Sequence, residues 1–386
     1  MSADGIRGSA AIVGAALAGL GESPGRSSEE IAIEASVKAL AEAGLTTRHV
    51  DAVFGSLPGN ANPLSALLVA EMLGIQPKFT DNNRTGGSTF LSYTLMAAMA
   101  LKEGLCETAL IFYGSNQRTA SGKLVSAVKP FAYEAPYAPI FPATSYALAA
   151  SRHMHEYGTT REQLAAVAVA ARGWANLNPE AFMRGPLTVQ DVLASRMVSS
   201  PLTVRDCCLV TDGGAAVVMT RADRARHLPK RPVYLLGAAA ATTHMNIVSM
   251  ADLTRTAAID SGQRAFAMAG LGPHDVDVVE LYDAFTINTL LFLEDLGFCA
   301  KGEGGPLVAS GAIAPGGRLP VNTNGGGLSC VHPGMYGMFT LVEAVRQLRG
   351  ECGERQVPGA EVALCHGNGG VLSSQITNLL GTDATL

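Results

Sequence analysis

Apolar positions along this chain form two kinds of run. Some recur with the spacing of one helix face, which predicts helices over 28–43, 89–104, 161–174, 256–269 and 338–349. Others are continuous. "TALIFYG" and "VALCHG" show no polar alternation, as expected of strands covered by helices on both faces. "SAAIVGAALAGLG", after Arg7, mimics the apolar core of a signal peptide, but it is too short to span a membrane and reads as a strand. No other stretch approaches spanning length. Alternation of the two patterns predicts α/β layers.

The pattern occurs twice. "ALAEAGLTTRHVDAVFGSLPG" (39–59) aligns without gaps on "AFAMAGLGPHDVDVVELYDAF" (265–285), pairing Gly44 with Gly270, Val50 with Val276 and Asp51 with Asp277. Upstream, "AAIVGAALAG" matches "VYLLGAAAAT". Downstream, "CETALIFYGS" (106–115) matches "EVALCHGNGG" (361–370), and "DGGAAVVMT" (212–220) matches "NGGVLSSQIT" (368–377). Residues 116–200 lack a counterpart and are expected to form an inserted lid or dimer-contact region. The boundary falls near "RARHLPKRP" (224–232), giving halves 1–228 and 229–386. Two α/β halves with facing glycine loops predict a shared site at the sheet ends.

Composition narrows the possibilities. At 386 residues, 48% hydrophobic and 16% charged, the chain can bury a large core. A formal net charge of −5 argues against a surface that tracks nucleic-acid phosphates. The seven cysteines include no CxxC, which removes zinc-ribbon and thioredoxin-type pairs, and an odd number fits a reducing cytoplasm. Cys207-Cys208 reads as structural. "HMH" (153–155) places its histidines off a common helix face, so they are expected at the surface and no metal site is predicted. No Walker-type loop or properly placed GxGxxG supports nucleotide hydrolysis or NAD binding.

Reactive side chains concentrate in the second half. "VELYDAFTIN" ends a strand with Glu280, Tyr282 and Asp283. "NTNGGGLSCVHPGMYGMF" carries Asn322, Asn324, Cys330, His332 and Tyr336, and "CHGNGG" puts Cys365 and His366 beside Gly367. In the first half, "NNRTGGSTF" (82–90) is a loop-to-helix junction with paired glycines, the kind of place where a nucleophile meets backbone N–H donors.

These motifs, in this order, resemble the thiolase superfamily over essentially the whole chain, in the branch of the sterol-carrier-protein-X thiolases. That superfamily reads NEAF or HDCF at a strand end, GHPxG in a loop and CxG in a final loop; here they stand as Tyr282-Asp283-Ala284-Phe285, Val331-His332-Pro333-Gly334 and Cys365-His366-Gly367. The resemblance implies duplicated βαβ halves in a five-layer αβαβα sandwich. Thiolases carry a nucleophilic cysteine at the first-half junction. Aligning Asn83 and Ser88 with its pattern puts Gly86 at that position, and a chain without the thiolate forms no acyl-enzyme.

Tyr282 beside "HPGMYG" is closer to the thiolase-related aldolases of steroid side-chain degradation. The implied reaction is retro-aldol cleavage of a bulky β-hydroxyacyl-CoA, probed here by three residues: Tyr282 and Tyr336 for proton transfer, and His332 for the enolate oxygen. Backbone donors near Gly86 and Gly367, with Asn324, are expected at the oxyanion or substrate. Cys365 is either an acid/base or a structural thiol, and His366 is expected to pack locally. Lys123 and Lys129 are candidates for CoA phosphates, against the commoner reading of solvated lysines. The thioester is the substrate and no cofactor is expected. Alternatives are a thiolase or acyltransferase with another nucleophile, and a non-catalytic scaffold. The resemblance further implies a homodimer, for which "GSTFLSYTLMAAMAL" supplies apolar surface, and a zinc-ribbon/OB-fold companion subunit.

Overall fold

A computed structural model describes residues 5–58, 64–121 and 132–386; Lys123 and Lys129 lie outside the described residues. The first half runs β1 (Ala10–Gly21), α1 (Ser28–Glu42), β2 (Ala52–Ser56), α2 (Ser65–Met72), β3 (Phe79–Asp81), α3 (Thr89–Lys102) and β4 (Thr108–Ser115). Next come α4 (Gln117–Ser121), α5 (Ala143–Tyr157), α6 (Arg161–Asn176), α7 (Val189–Leu193) and the small pair β5 (Met197–Ser199) and β6 (Leu202–Thr203). Strand β7 (Asp212–Arg221) and the single turn α8 (Ala222–Ala225) close this half. The second runs β8 (Val233–Thr242), α9 (Ala258–Ala269), β9 (Val278–Leu281), α10 (Thr286–Asp295), α11 (Gly304–Ala309), α12 (Gly337–Arg349), β10 (Val362–Gly369) and β11 (Ser374–Gly381).

Strand order is β3-β2-β4-β7-β1 in the first half and β8-β11-β10-β9 in the second, so β2-β4-β7-β1 is repeated as β9-β10-β11-β8. The halves join where Ala11 and Ile12 of β1 pair with Tyr234 and Val233 of β8. Helix α1 packs on β1, β4 and β7, and α9 packs on β8 and β11. Helices α3 and α12 touch each other and strands of both halves. They form the middle layer of a helix–sheet–helix–sheet–helix stack. A layer with sheets on both sides is covered over most of its surface, which is why α3 reads "TFLSYTLMAAMAL" with few polar residues, although a stripe through Met99 stays open.

That burial corrects one expectation. Phe90, Leu91, Tyr93, Ala97, Ala98 and Leu101 of α3 are buried within the chain, so the apolar surface this segment leaves for a dimer narrows to Leu95, Met96 and Met99. In the second half, β10 and β11 are a hairpin closed by residues 370–373; in the first, β4 and β7 are antiparallel partners joined through everything from α4 to β6. The insertion therefore replaces one hairpin turn. Sequence signals at its helices are local and strong: Thr160 Oγ1 accepts from the Gln163 amide while Gln163 Oε1 accepts from the Thr160 amide, fixing the start of α6.

His153, expected at the surface, is fully buried: its Nδ1 meets Thr159 Oγ1 at 2.7 Å and its Nε2 meets the Glu294 carboxylate at 3.0 Å. A buried acid on α10, remote in sequence, reverses the placement.

Candidate active site

Tyr282 follows β9 directly. Its N–H donates to the His366 carbonyl at 3.0 Å, extending the parallel β9–β10 ladder by one residue and aiming the phenol off the sheet's end. The hydroxyl lies 3.1 Å from His332 Nε2 and 3.4 Å from the Gly334 carbonyl. The rings of Tyr282 and His332 meet edge to face, with centroids 5.6 Å apart. Tyr336 caps α12; its ring meets Tyr282 edge-on at 5.9 Å and its hydroxyl donates to Asn324 Oδ1 at 2.9 Å. The three side chains chosen from the sequence thus form one cluster.

The cluster abuts the first-half junction. A Cβ on Gly87 would fall 1.8 Å from Tyr282 Cε2, so the phenol ring occupies the space a side chain there would need. The Gly87 carbonyl in turn sits 2.0 Å from where a Cβ on Gly337 would be, so α12 and α3 start in backbone contact. Gly86 has φ +97° and faces the backbone of Gly369 and Gly370, with a Cβ placed 2.9 Å from each. A cysteine there would be strained and blocked. The pair "GG" was the sequence signal for Gly87, whose importance only the ring contact reveals.

Electrostatics follow from burial. Tyr336 is fully buried and Tyr282 and His332 are 5% exposed. Burial pushes the Tyr282 phenol well above its ordinary range, with further increments from Cys208 and Tyr146, while the Tyr336 backbone N–H acts the other way. Tyr336 is raised too, by burial and then by Asp283 and Glu280. Burial lowers His332 to about 4, so the imidazole is neutral at pH 7. Its Nδ1 has no partner among the described residues. Asp283 is pushed up to about 7 by burial, opposed by the Gly327 N–H that donates to it at 2.6 Å. That bond ties the YDAF strand end to the π turn at Gly326–Cys330 leading into the HPG loop.

Other candidates sit differently. Asn324 Oδ1 accepts from Tyr336 and from the Gly326 N–H at 2.7 Å, so its oxygen holds the tyrosine, and an oxyanion contact would fall to its Nδ2. Gly367 lies in strand β10, in register with Ile376, rather than in a loop, and its Cα side faces Ser88 at the first-half junction. Cys365 is also mid-strand: its Sγ contacts the Thr340 carbonyl at 3.5 Å, and burial holds the thiol well above its usual range. The motif Cys365 to Gly367, expected in a final loop, is strand, and β10 runs on to Gly369 because β11 pairs with it that far. His366 packs locally, between Thr377 and Gln375, each at 2.9 Å.

Chemically, a neutral imidazole on a protonated phenol can pass a proton either way without a free phenolate. No group of three or more His, Cys, Asp or Glu among the described residues is placed to hold a metal ion. None of the site residues lines the concavity of about 880 Å³ between β1, α1 and α12, whose walls mix Lys38, Arg184 and Arg346 with Glu42, Glu180 and Glu351.

Comparison with known proteins agrees with this geometry. Residues 239–382 match the family model "Thiolase C-terminal domain-like". The chain is 36% identical to the 17-hydroxy-3-oxo-4-pregnene-20-carboxyl-CoA lyase of Mycobacterium tuberculosis, over 96% of this chain and 98% of that one. It is also 36% identical to an acetyl-CoA acetyltransferase of Methanothermobacter thermautotrophicus, over 93% of this chain and 96% of the other. A solved Ltp2-ChsH2(DUF35) aldolase superposes with a TM-score of 0.88 at 35% identity, covering 98% of this chain and 99% of its own.

Proposed function

Starting from a chain that belongs to the thiolase superfamily, we propose that it cleaves a bulky β-hydroxyacyl-CoA, a steroid side-chain thioester, by a retro-aldol reaction into a ketone and a short acyl-CoA. The observation that carries this reading is the Tyr282 ring. It fills the hollow at Gly87, next to Gly86 where a thiolase would carry its cysteine, and meets His332. The relatives divide between a lyase and an acyltransferase, and this feature favours the lyase.

Tyr282 takes the substrate hydroxyl proton as its own passes to neutral His332, which leaves no isolated phenolate in a buried site. As the carbon–carbon bond breaks, the electron pair moves into the thioester to form an enolate. Tyr336 is our candidate acid for the enolate carbon, giving up its bond to Asn324 as it does so, with protonated His332 and the Gly86 backbone as candidate donors to the enolate oxygen. The proton on His332 then returns through Tyr282 to restore Tyr336. No cysteine contributes: Cys208 and Cys365 are both raised well above their ordinary range by burial, so neither offers a thiolate near neutrality.

The halves 1–228 and 229–386 are taken as duplicated units that share this site. The partners proposed are a second copy of the chain and a zinc-ribbon/OB-fold companion. Leu67 and Met72, exposed on α2 beside the edge strand β3, give the homodimer an apolar face. The two-component name of the solved aldolase supports the companion. Seven unpaired cysteines suit a reducing cytoplasm.

The test is incubation with a steroid β-hydroxyacyl-CoA, with and without the companion, following the ketone and the intact mass of the chain. Ketone release with an unmodified chain is expected. Stoichiometric acylation of the chain, with release of CoA, would establish thiolase chemistry instead.

A further inference from the structure

His332 is held in an unusual manner. A working imidazole is ordinarily oriented by a hydrogen bond at its second nitrogen. Here Nδ1 is buried without a partner among the described residues, so the ring is held by the Tyr282 hydroxyl, by stacking on Tyr336 and by its own backbone.

That backbone is held entirely from the first half. The His332 N–H donates to Thr211 Oγ1 at 3.0 Å. Its carbonyl accepts from Gln117 Nε2 at 2.9 Å and from the Thr211 N–H at 3.3 Å. The next carbonyl, of Pro333, accepts from the Tyr113 hydroxyl. Tyr113 and Thr211 are fully buried and Gln117 is 2% exposed, so water does not compete for these bonds.

The three residues arrive together because of sheet topology. Tyr113 lies near the end of β4, Gln117 opens α4 just beyond, and Thr211 precedes β7, whose Gly213 pairs with Ser115 of β4. Asp212 secures the group, since its carboxylate accepts from the Arg118, Thr119 and Ser23 amides at 2.8, 3.1 and 2.8 Å.

We propose that Tyr113, Gln117 and Thr211 are positioning residues of the first half that set the angle at which the His332 imidazole meets the Tyr282 hydroxyl. The proline after His332 adds to this, because its fixed φ turns three backbone anchors into a rigid mount. None of the three side chains has been placed against the substrate; they act through His332. The inference rests on the reading of Tyr282 and His332 as a proton-transfer pair.

The test uses Tyr113→Phe, Thr211→Val and Thr211→Ser in the full chain. Phe and Val keep the shape and delete the hydroxyl, whereas Ser restores the acceptor. A displaced catalytic group costs up to about 10²-fold in rate, so kcat should fall about 10- to 100-fold in Tyr113→Phe and Thr211→Val with KM little changed. Thr211→Ser should recover most of it. A second readout is independent of turnover: the His332 signal in isotope-labelled histidine spectra, identified by its loss in His332→Gln. It should shift in Tyr113→Phe and Thr211→Val and return in Thr211→Ser. An unmoved His332 signal in both hydroxyl-deletion variants overturns the proposal, as does wild-type kcat in both. If the wild-type chain fails to cleave the thioester, the retro-aldol reading falls, while the spectra still decide the mount.

Discussion

Replacing Tyr282 by Phe separates the ring's packing from the hydroxyl's chemistry. The ring that fills the Gly87 hollow is retained, so the junction between α3 and α12 should stay closed. What disappears is the 3.1 Å contact to His332 Nε2, which leaves both nitrogens of a buried imidazole without a partner. Leaving a buried polar group unsatisfied costs about 1–3 kcal/mol, a loss a chain of this size tolerates with a modest fall in melting temperature. The rate should suffer far more. Loss of general acid–base help is worth about 10²–10⁴-fold, equivalent to about 3–5 kcal/mol of barrier. The assay is single-turnover release of the ketone at saturating thioester, with the folded fraction checked by thermal melting. The wild-type pH profile gives a second check. Activity requires neutral His332, lowered to about 4 by burial, so the acid limb should lie near pH 4, well below the ordinary imidazole value. Unchanged turnover in Tyr282→Phe, or an acid limb at an ordinary imidazole pKa, would refute the reasoning.

Three further outcomes are expected. Gly87→Ala places a methyl 1.8 Å from Tyr282 Cε2, and should abolish cleavage at least as completely as Tyr282→Phe while the chain still folds, read by the same ketone assay beside a melting curve. Gly86→Cys should create no thiolase: the φ of +97° and the Gly369–Gly370 backbone oppose the side chain, so intact mass should show no acylation and the melting temperature should drop. His366, lowered to about 4 by burial, binds a proton more readily once unfolded, so its contribution to stability is intact above about pH 6.5 and is lost as pH falls towards 4. That contribution is about 3 kcal/mol, and denaturant melts of His366→Gln at neutral and acid pH should show a flatter acid dependence than wild type.

Much of this molecule was legible in its sequence because the information is local or repeated. Helix faces, continuous buried strands and capping boxes each depend on residues a few positions apart, and the five helices expected from spacing begin and end within two residues of those observed. The duplication was legible because the same pattern recurs, and it appears as the repeated strand order β2-β4-β7-β1 and β9-β10-β11-β8. Motif order was enough to select Tyr282, His332 and Tyr336, which the structure brings into one cluster.

Contacts between distant segments were decided only by the tertiary structure. The polar pattern of "HMH" gives no sign that Glu294 lies beneath His153, so a buried pair looked like a surface. The apolar run of α3 cannot say whether its partner is another chain or a second sheet of its own; the stacking of the two halves buries most of it and leaves Met99 exposed. Cys365 and Gly367 look like loop residues until β11 pairs past them. The His332 mount depends on Tyr113, more than two hundred positions upstream, with no local pattern to mark it. Sequence periodicity fixes which face of an element is buried, but what covers that face depends on the free energy of packing the whole chain. At this site the Tyr282 ring covers Gly87, beside the nucleophile position at Gly86, and brings its hydroxyl to His332.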